Sequence, residues 1–297
     1  MGNTATGTTG STVPKRQLGR HLRKLRNQAG FTVKLAAHEM EFSEAKVWRI
    51  ESGQVALRSL DVEAMCRLYG APDDLTDALK ALAKETKARG WWHSFGDVIP
   101  EGFDVYIGLE EAASDFRWYE PELVPGLLQT EAYTRALITE SRPNSAAEEI
   151  DRLVHVQTSR KALVTRTIEP PMLRVVINEA VLKRPVGGPD VMAAQLQHLA
   201  ELSQRPNIDL RVVPFAAGMH PGVRSGAFIM LGFPVNGTGE PSEPTTVYLN
   251  HLAGELYLDK DREVDRYDAV FANLWAVSLD ETISEQMLTT AAKEIAK

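Results

Sequence analysis

Between Leu18 and Tyr69 the sequence is cut into short helical runs, each with its own start and stop residues, and this constrains the fold more than any other feature. Leu18, Leu22 and Leu25 recur at four and three residues and make one apolar stripe, with Arg20, Arg23, Lys24 and Arg26 outside it. Gly30 stops that run. Thr32 is a natural N-cap for a second helix through about Met40, with Leu35, Ala36 and Met40 as its inner face. Ser43 caps a third, SEAKVWRIES, with Val47 and Ile50 inward and Gly53 at its end. Leu60 to Tyr69 forms a fourth, carrying Leu60, Ala64, Met65 and Leu68. Pro72 punctuates the chain, and a fifth helix over roughly Asp73 to Arg89 carries Leu75, Leu79 and Leu82 and reads as a connector.

The net charge of −7 is split unevenly. Residues 1–70 hold 11 Lys+Arg and 6 Asp+Glu, whereas residues 71–297 hold 22 and 34. A basic segment hidden behind an acidic average points to a polyanionic partner for that segment alone. Two helices joined by a tight turn, the second opening with polar and basic residues, form the reader that enters a DNA major groove. The stretch GFTVKLAAHEMEFSEAKVWRIESG is similar to the signature of the repressor-type helix-turn-helix family, the xenobiotic-response or Cro-like group, and the likeness extends over residues 18–70.

That resemblance implies a five-helix domain, a homodimer on a palindromic double-stranded operator, and a recognition helix beginning at Ser43. It places DNA contacts at Thr32, Lys34, Ser43, Glu44, Ala45, Lys46, Trp48, Arg49 and Arg58. Glu44, Ala45 and Arg49 would read bases, and Lys46 and Trp48 would face the backbone. Arg49 can grip guanine O6 and N7 with two hydrogen bonds, and its neighbours Val47 and Ile50 leave it outside. Glu44 has two roles open to it: accepting from a cytosine amino group, or stabilising the first helical turn through the dipole without touching a base. Three positions depart from the family pattern. Val33 and Glu44 stand where glutamine is usual, and Glu41 stands where the turn often has glycine. Arg26 and Glu51 match a family ion pair between the first and third helices, which is a structural role.

From Trp91 the texture changes. Trp91, Trp92, Phe95, Phe103, Tyr106, Phe116, Trp118 and Tyr119 form an aromatic entry that reads as core by default and as a ligand pocket or partner surface in the alternative. Helical segments are expected around 108–118 and 129–164. Strands are expected at LRVVIN (173–178), IDLRVVPF (208–215), AFIML (227–231) and TVYL (246–249), with a helix at Pro189–Gln204 and another closing the chain at Asp261–Ala276. The pattern predicts an N-terminal all-α five-helix domain and a C-terminal α+β domain with a mixed or mostly antiparallel sheet. The expected divisions are a disordered tail over 1–14, the reader over 15–72, the connecting helix over 73–90, and the α+β domain over 91–297.

Several chemistries are excluded at this level. A single cysteine, Cys66, allows neither a disulfide nor a Cys-type zinc site. His93, His155, His198, His220 and His251 include no pair at the i, i+4 spacing of a helical zinc site. GVRSGA has Val223 two residues before Ser225, so it is no nucleophile elbow. Glu110, Glu111, Glu179 and Glu255 could form carboxylate pairs only if the fold joined them. The expectation is a protein that is not an enzyme and that needs no cofactor or metal. With no apolar run near the ~18 residues of a membrane span and no signal-peptide pattern at the N-terminus, a cytoplasmic, nucleoid-associated location is expected.

LVPGLLQTEAYTRALI (123–138), INEAVLKRPVGG (177–188) and QLQHLAELSQRPNIDLRVVPFAAGMHPG (195–222) resemble the C-terminal domain of the WhiJ-like actinobacterial regulators. The resemblance implies control of development or antibiotic production, with a small companion protein encoded nearby in an antitoxin-like arrangement. Asn250 stands where that family often has an acidic residue. The alternative is a one-component regulator whose C-terminal domain senses a small-molecule ligand.

Overall fold

The computed structural model describes residues 12–86, 90–95, 97–99, 103–167, 169–235, 241–252 and 254–296. The chain divides into two compact units. The first comprises residues 1–96, 101–112 and 236–243; the second comprises 97–100, 113–235 and 244–297.

In the first unit, α1 (Thr12–Gln28), α2 (Val33–Glu39), α3 (Glu44–Glu51), α4 (Ser59–Leu68) and α5 (Asp73–Glu85) follow the expected starts and stops, and α6 (Phe103–Ala112) joins them. Leu18, Leu22 and Leu25 of α1 meet Ala36, Ile50, Val62, Met65 and Leu79 in one core. α5 packs on α4 and α1, and so belongs to this core. Most of the anticipated tail, residues 1–11, lies outside the described residues, but Thr12–Pro14 form the first turn of α1. The end expected for the fifth helix, at 87–89, also lies outside them.

Three inward assignments are corrected, one of them Ala64, which is exposed on α4. Leu35 is 45% exposed and Leu60 is 72% exposed. α2 is only seven residues long and turns Ala36 and Ala37 inward. In α4 the buried stripe is Val62, Met65 and Cys66, which is one register away from the stripe through Leu60.

The second unit is built on a six-stranded mixed sheet of order β3-β2-β1-β4-β5-β6. Its strands are β1 (Asp115–Glu120), β2 (Met172–Asn178), β3 (Ile208–Val213), β4 (Phe228–Gly232), β5 (Thr246–His251) and β6 (Gly254–Leu258). β1, β2 and β3 run parallel, while β4, β5 and β6 form an antiparallel meander beginning at β1. Parallel neighbours need long crossovers. α7 (Glu131–Ser141), α8 (Ala147–Arg160) and α9 (Ala162–Thr165) link β1 to β2, and α10 (Glu179–Lys183) and α11 (Pro189–Leu202) link β2 to β3.

After β3 come α12 (Gly222–Ser225), α13 (Asp261–Val277) and α14 (Glu281–Ile295). α13 covers one sheet face through Tyr119, Val176, Met230 and Val247. α14 packs on α11 and β3. The helix expected over 108–118 is therefore two elements, the end of α6 and the strand β1. Asp115, Arg117 and Tyr119 alternate there with Phe116 and Trp118. α13 does not close the chain, because α14 follows it. The aromatic run also divides. Trp92 and Tyr106 are buried in the first unit, and Phe116, Trp118 and Tyr119 in the second.

Candidate nucleic-acid interface

The two reader helices, α2 and α3, are each started by a side chain and stopped by a backbone motif. Thr32 Oγ1 accepts from the Leu35 amide at 3.1 Å, and Ser43 Oγ accepts from the Lys46 amide at 3.1 Å. These are the two expected N-caps, and each satisfies an amide the helix cannot pair for itself. α2 ends in a Schellman turn, where the Phe42 amide reaches the Ala37 carbonyl at 2.8 Å and the Glu41 amide reaches that of His38 at 3.1 Å. The turn requires a left-handed residue, and Glu41 adopts φ +52. α1, α3 and α4 end in the same way, with Gly30, Gly53 and Gly70 at positive φ. α2 alone of these four carries a side chain there.

α3 is fixed against α1 and α2 by Val47 and Ile50, both fully buried, and by Glu51. Glu51 takes the Arg26 guanidinium through two bonds, Nε to Oε1 at 2.5 Å and the second nitrogen to Oε2 at 2.9 Å. Arg26 also donates to the Phe31 carbonyl at 2.7 Å, in the loop leading to α2. One buried guanidinium thus ties the end of α1 to the end of α3, as the resemblance implied, and holds the loop before α2 as well. Beside this pair, burial pushes the Tyr69 hydroxyl up to about 12.

The opposite face of α3 is bare. Glu44, Ala45, Trp48 and Arg49 are exposed, and Trp48 is 58% accessible, high for so large a ring. Arg49 Nε lies 3.4 Å from the Ala45 carbonyl of its own helix, and no acid holds its guanidinium among the described residues. Lys46 is half-buried, with its ammonium 3.2 Å from the centre of the Phe42 ring, a cation–π contact that holds it at the turn. Thr32 and Lys34 are exposed at the start of α2. Arg58 is exposed but paired, both of its bonds to Asp61 being 3.0 Å long. A phosphate would have to compete with that carboxylate. The structure therefore brings Ser43, Glu44, Ala45, Trp48, Arg49, Thr32 and Lys34 to the solvent side of the two reader helices, with Lys46 partly withdrawn and Arg58 already engaged.

The basic excess does not reside in the reader helices. Lys15, Arg16, Arg20, Arg23, Lys24 and Arg26 all belong to α1. Arg16 and Arg20 converge on Glu243, whose side chain is fully buried, at 3.0 and 2.6 Å. Gln17 Nε2 donates to the Ser242 carbonyl at 2.6 Å. With Arg26 on Glu51, three cations of α1, Arg16, Arg20 and Arg26, are committed inside the unit. Glu243 lies 227 residues from Arg16, and nothing local in the sequence announces it.

Two family models match the chain. One, described as a helix-turn-helix domain, matches residues 17–79. The other, described as a domain of unknown function, DUF5753, matches residues 103–290. No curated protein and no solved structure matches.

Proposed function

The chain belongs to the DUF5753 family, with a helix-turn-helix domain ahead of that domain, and from this we propose that it is a sequence-specific transcriptional regulator that binds its operator as a dimer. The observation that carries the reading is the bare face of α3. Its inner side is held by Val47, Ile50 and the Arg26–Glu51 pair, and its outer side presents Arg49 with no acid partner among the described residues. A rigid helix whose guanidinium touches, among those residues, only the Ala45 carbonyl through Nε suits bidentate readout of guanine. Ser43, Glu44, Ala45, Lys46 and Trp48 complete the contact set on α3, and Thr32, Lys34 and Arg58 flank it. The protein acts by binding and not by catalysis.

The test is selection of bound duplexes from a random pool by the full-length protein, followed by gel-shift titration. The expected product is a palindrome with half-sites about 34 Å apart. Arg49→Ala should cost about 1–3 kcal/mol of specific binding and relax preference at one guanine per half-site. Failure to enrich any sequence, or an unchanged preference in the variant, would sink the assignment. Light scattering should give the mass of two chains.

For the C-terminal domain the favoured role is reception of a small companion protein in a WhiJ-like, antitoxin-like arrangement, in an actinobacterial setting of development. The support is the likeness of residues 123–138, 177–188 and 195–222 to that family, together with an edge strand, β6, beside which Leu252 and Leu256 are exposed. An unpaired edge with apolar side chains is a surface for a further strand. Mixing the purified product of an adjacent short reading frame with the full chain should yield a complex by light scattering. A second reading, a small-molecule sensor, is favoured by a basic cleft in the same domain. Among the described residues no helix is long and apolar enough to cross a membrane.

A further inference from the structure

In the second unit a cleft of about 810 Å³ opens between the α12 segment and the first half of α13. This size lies within the usual range of small-molecule sites. Its lining includes Arg224 and Arg266, His220, Tyr267, Met219 and Val270, and no carboxylate among the described residues. That is unusual in this part of the chain, where residues 71–297 hold 34 Asp+Glu against 22 Lys+Arg. Arg117, Arg135, Arg142, Arg152, Arg174, Arg184 and Arg211 each hold an acid partner. Arg224 and Arg266 have none among the described residues, as is also true of Arg166, Arg205 and Arg262, but only Arg224 and Arg266 come together in one cleft. Of the acids flanking Arg266 on α13, Asp265 does not line the cleft and Asp268 is held by Arg117.

The surroundings of the cleft are aromatic and tightly built. Gly222 opens α12 directly against β1, where a Cβ would come within 2.9 Å of the Tyr119 ring and 2.7 Å of Leu274. His220 sits edge-on to Tyr119, with ring centres 6.3 Å apart, and Tyr267 leans on Phe228 at 5.0 Å. His220 is only 5% exposed, and its Nδ1 is covered with no hydrogen-bond partner among the described residues. A buried polar atom left unpaired is costly and marks a place where structure has been given up for something else. Burial also lowers the His220 pKa, so the ring is neutral near pH 7 and adds no charge to the two guanidiniums. At the rim, Met219 stands 73% exposed.

We propose that this cleft binds a small organic anion with an apolar body, its carboxylate held by Arg224 and Arg266 and its hydrocarbon part lying against Tyr267, Val270 and Met219. Guanidiniums match carboxylates bidentately, and an apolar wall supplies the rest of the affinity. The proposal rests on the sensing reading of the C-terminal domain and names its ligand class.

The test uses the full-length protein and 1-anilinonaphthalene-8-sulfonate, an aromatic anion that fluoresces when taken out of water. The probe should bind at one site, be displaced by 2-naphthoate, and be displaced at least tenfold less well by 2-naphthamide, which keeps the shape and lacks the charge. Arg224→Gln/Arg266→Gln should weaken both anions at least tenfold with an unchanged melting temperature, because both side chains are exposed and unpaired. The site is overturned by absence of probe binding, by wild-type affinity in the folded double variant, by equal competition from the amide, or by inorganic phosphate competing as well as naphthoate. The assay contains no DNA, so its failure leaves the reader standing.

Discussion

At the scale of single residues, the Arg26–Glu51 pair holds the fold while the Glu120 carboxyl resists it. Arg26 and Glu51 are almost wholly covered, and each answers the other. Removing one partner leaves the other ion buried and uncompensated, so Glu51→Ala should lower unfolding free energy by about 3–5 kcal/mol in a denaturant titration. DNA affinity per folded molecule should hardly move, since Glu51 faces inward. Unchanged stability would show that the pair contributes nothing net.

Glu120, at the end of β1, is the opposite case. Burial pushes its carboxyl up from 4.5 to about 7, against the pull of the Trp118 indole, which donates to it at 3.0 Å. Between those two values the folded chain keeps a proton that the unfolded chain has released, so this group's contribution to stability falls as pH rises from 4.5 to about 7. Glu120→Gln keeps an oxygen for the indole and removes the ionisation. Its melting temperature should match wild type at pH 5 and exceed it at pH 8, by on the order of 2–3 kcal/mol of stability. A difference that does not depend on pH would refute the cause.

Among elements, the turn between α2 and α3 carries the clearest strain. A left-handed backbone costs a residue with a Cβ about 1–2 kcal/mol, and Glu41 occupies that conformation where three neighbouring helices end on glycine. Glu41→Gly should therefore stabilise the first unit by up to about 1 kcal/mol, the gain being trimmed by the greater freedom of glycine in the unfolded chain. Gly30→Ala, the reverse change at the matching turn of α1, should destabilise. Equal melting temperatures for Glu41→Gly and wild type would mean that the turn is unstrained.

For the whole molecule, the compact unit containing the reader is not a continuous stretch of chain. α6 and residues 236–243 belong to it, and Glu243 holds Arg16 and Arg20. A fragment ending at residue 90 keeps every reader helix but loses both additions, which leaves two α1 cations without their acid. Amide hydrogen exchange in α1 should be at least tenfold faster in the fragment than in the full chain. Equal protection would show that residues 1–90 are self-sufficient without α6 and Glu243.

What the sequence determined by itself was whatever local chemistry controls. Thr32 and Ser43 start helices because their side chains reach amides three residues on, and Gly30 and Gly53 stop them because a reversing chain needs positive φ. The Arg26–Glu51 pair was legible through family likeness, and β2 and β3 through their β-branched runs. β1 is not legible in the sequence because its alternation is short and lies inside an aromatic stretch. β6 is not legible either, because an edge strand of five residues carries little apolar pattern. Whether Leu35 and Leu60 face in or out depends on which stripe of a short helix its neighbours cover, and periodicity cannot choose between adjacent stripes. Glu243 on α1 and the grouping of His220 and Arg224 with Arg266 and Tyr267 were decided by tertiary structure alone. Such contacts join residues far apart in the chain, and no local preference of either partner encodes the other's position.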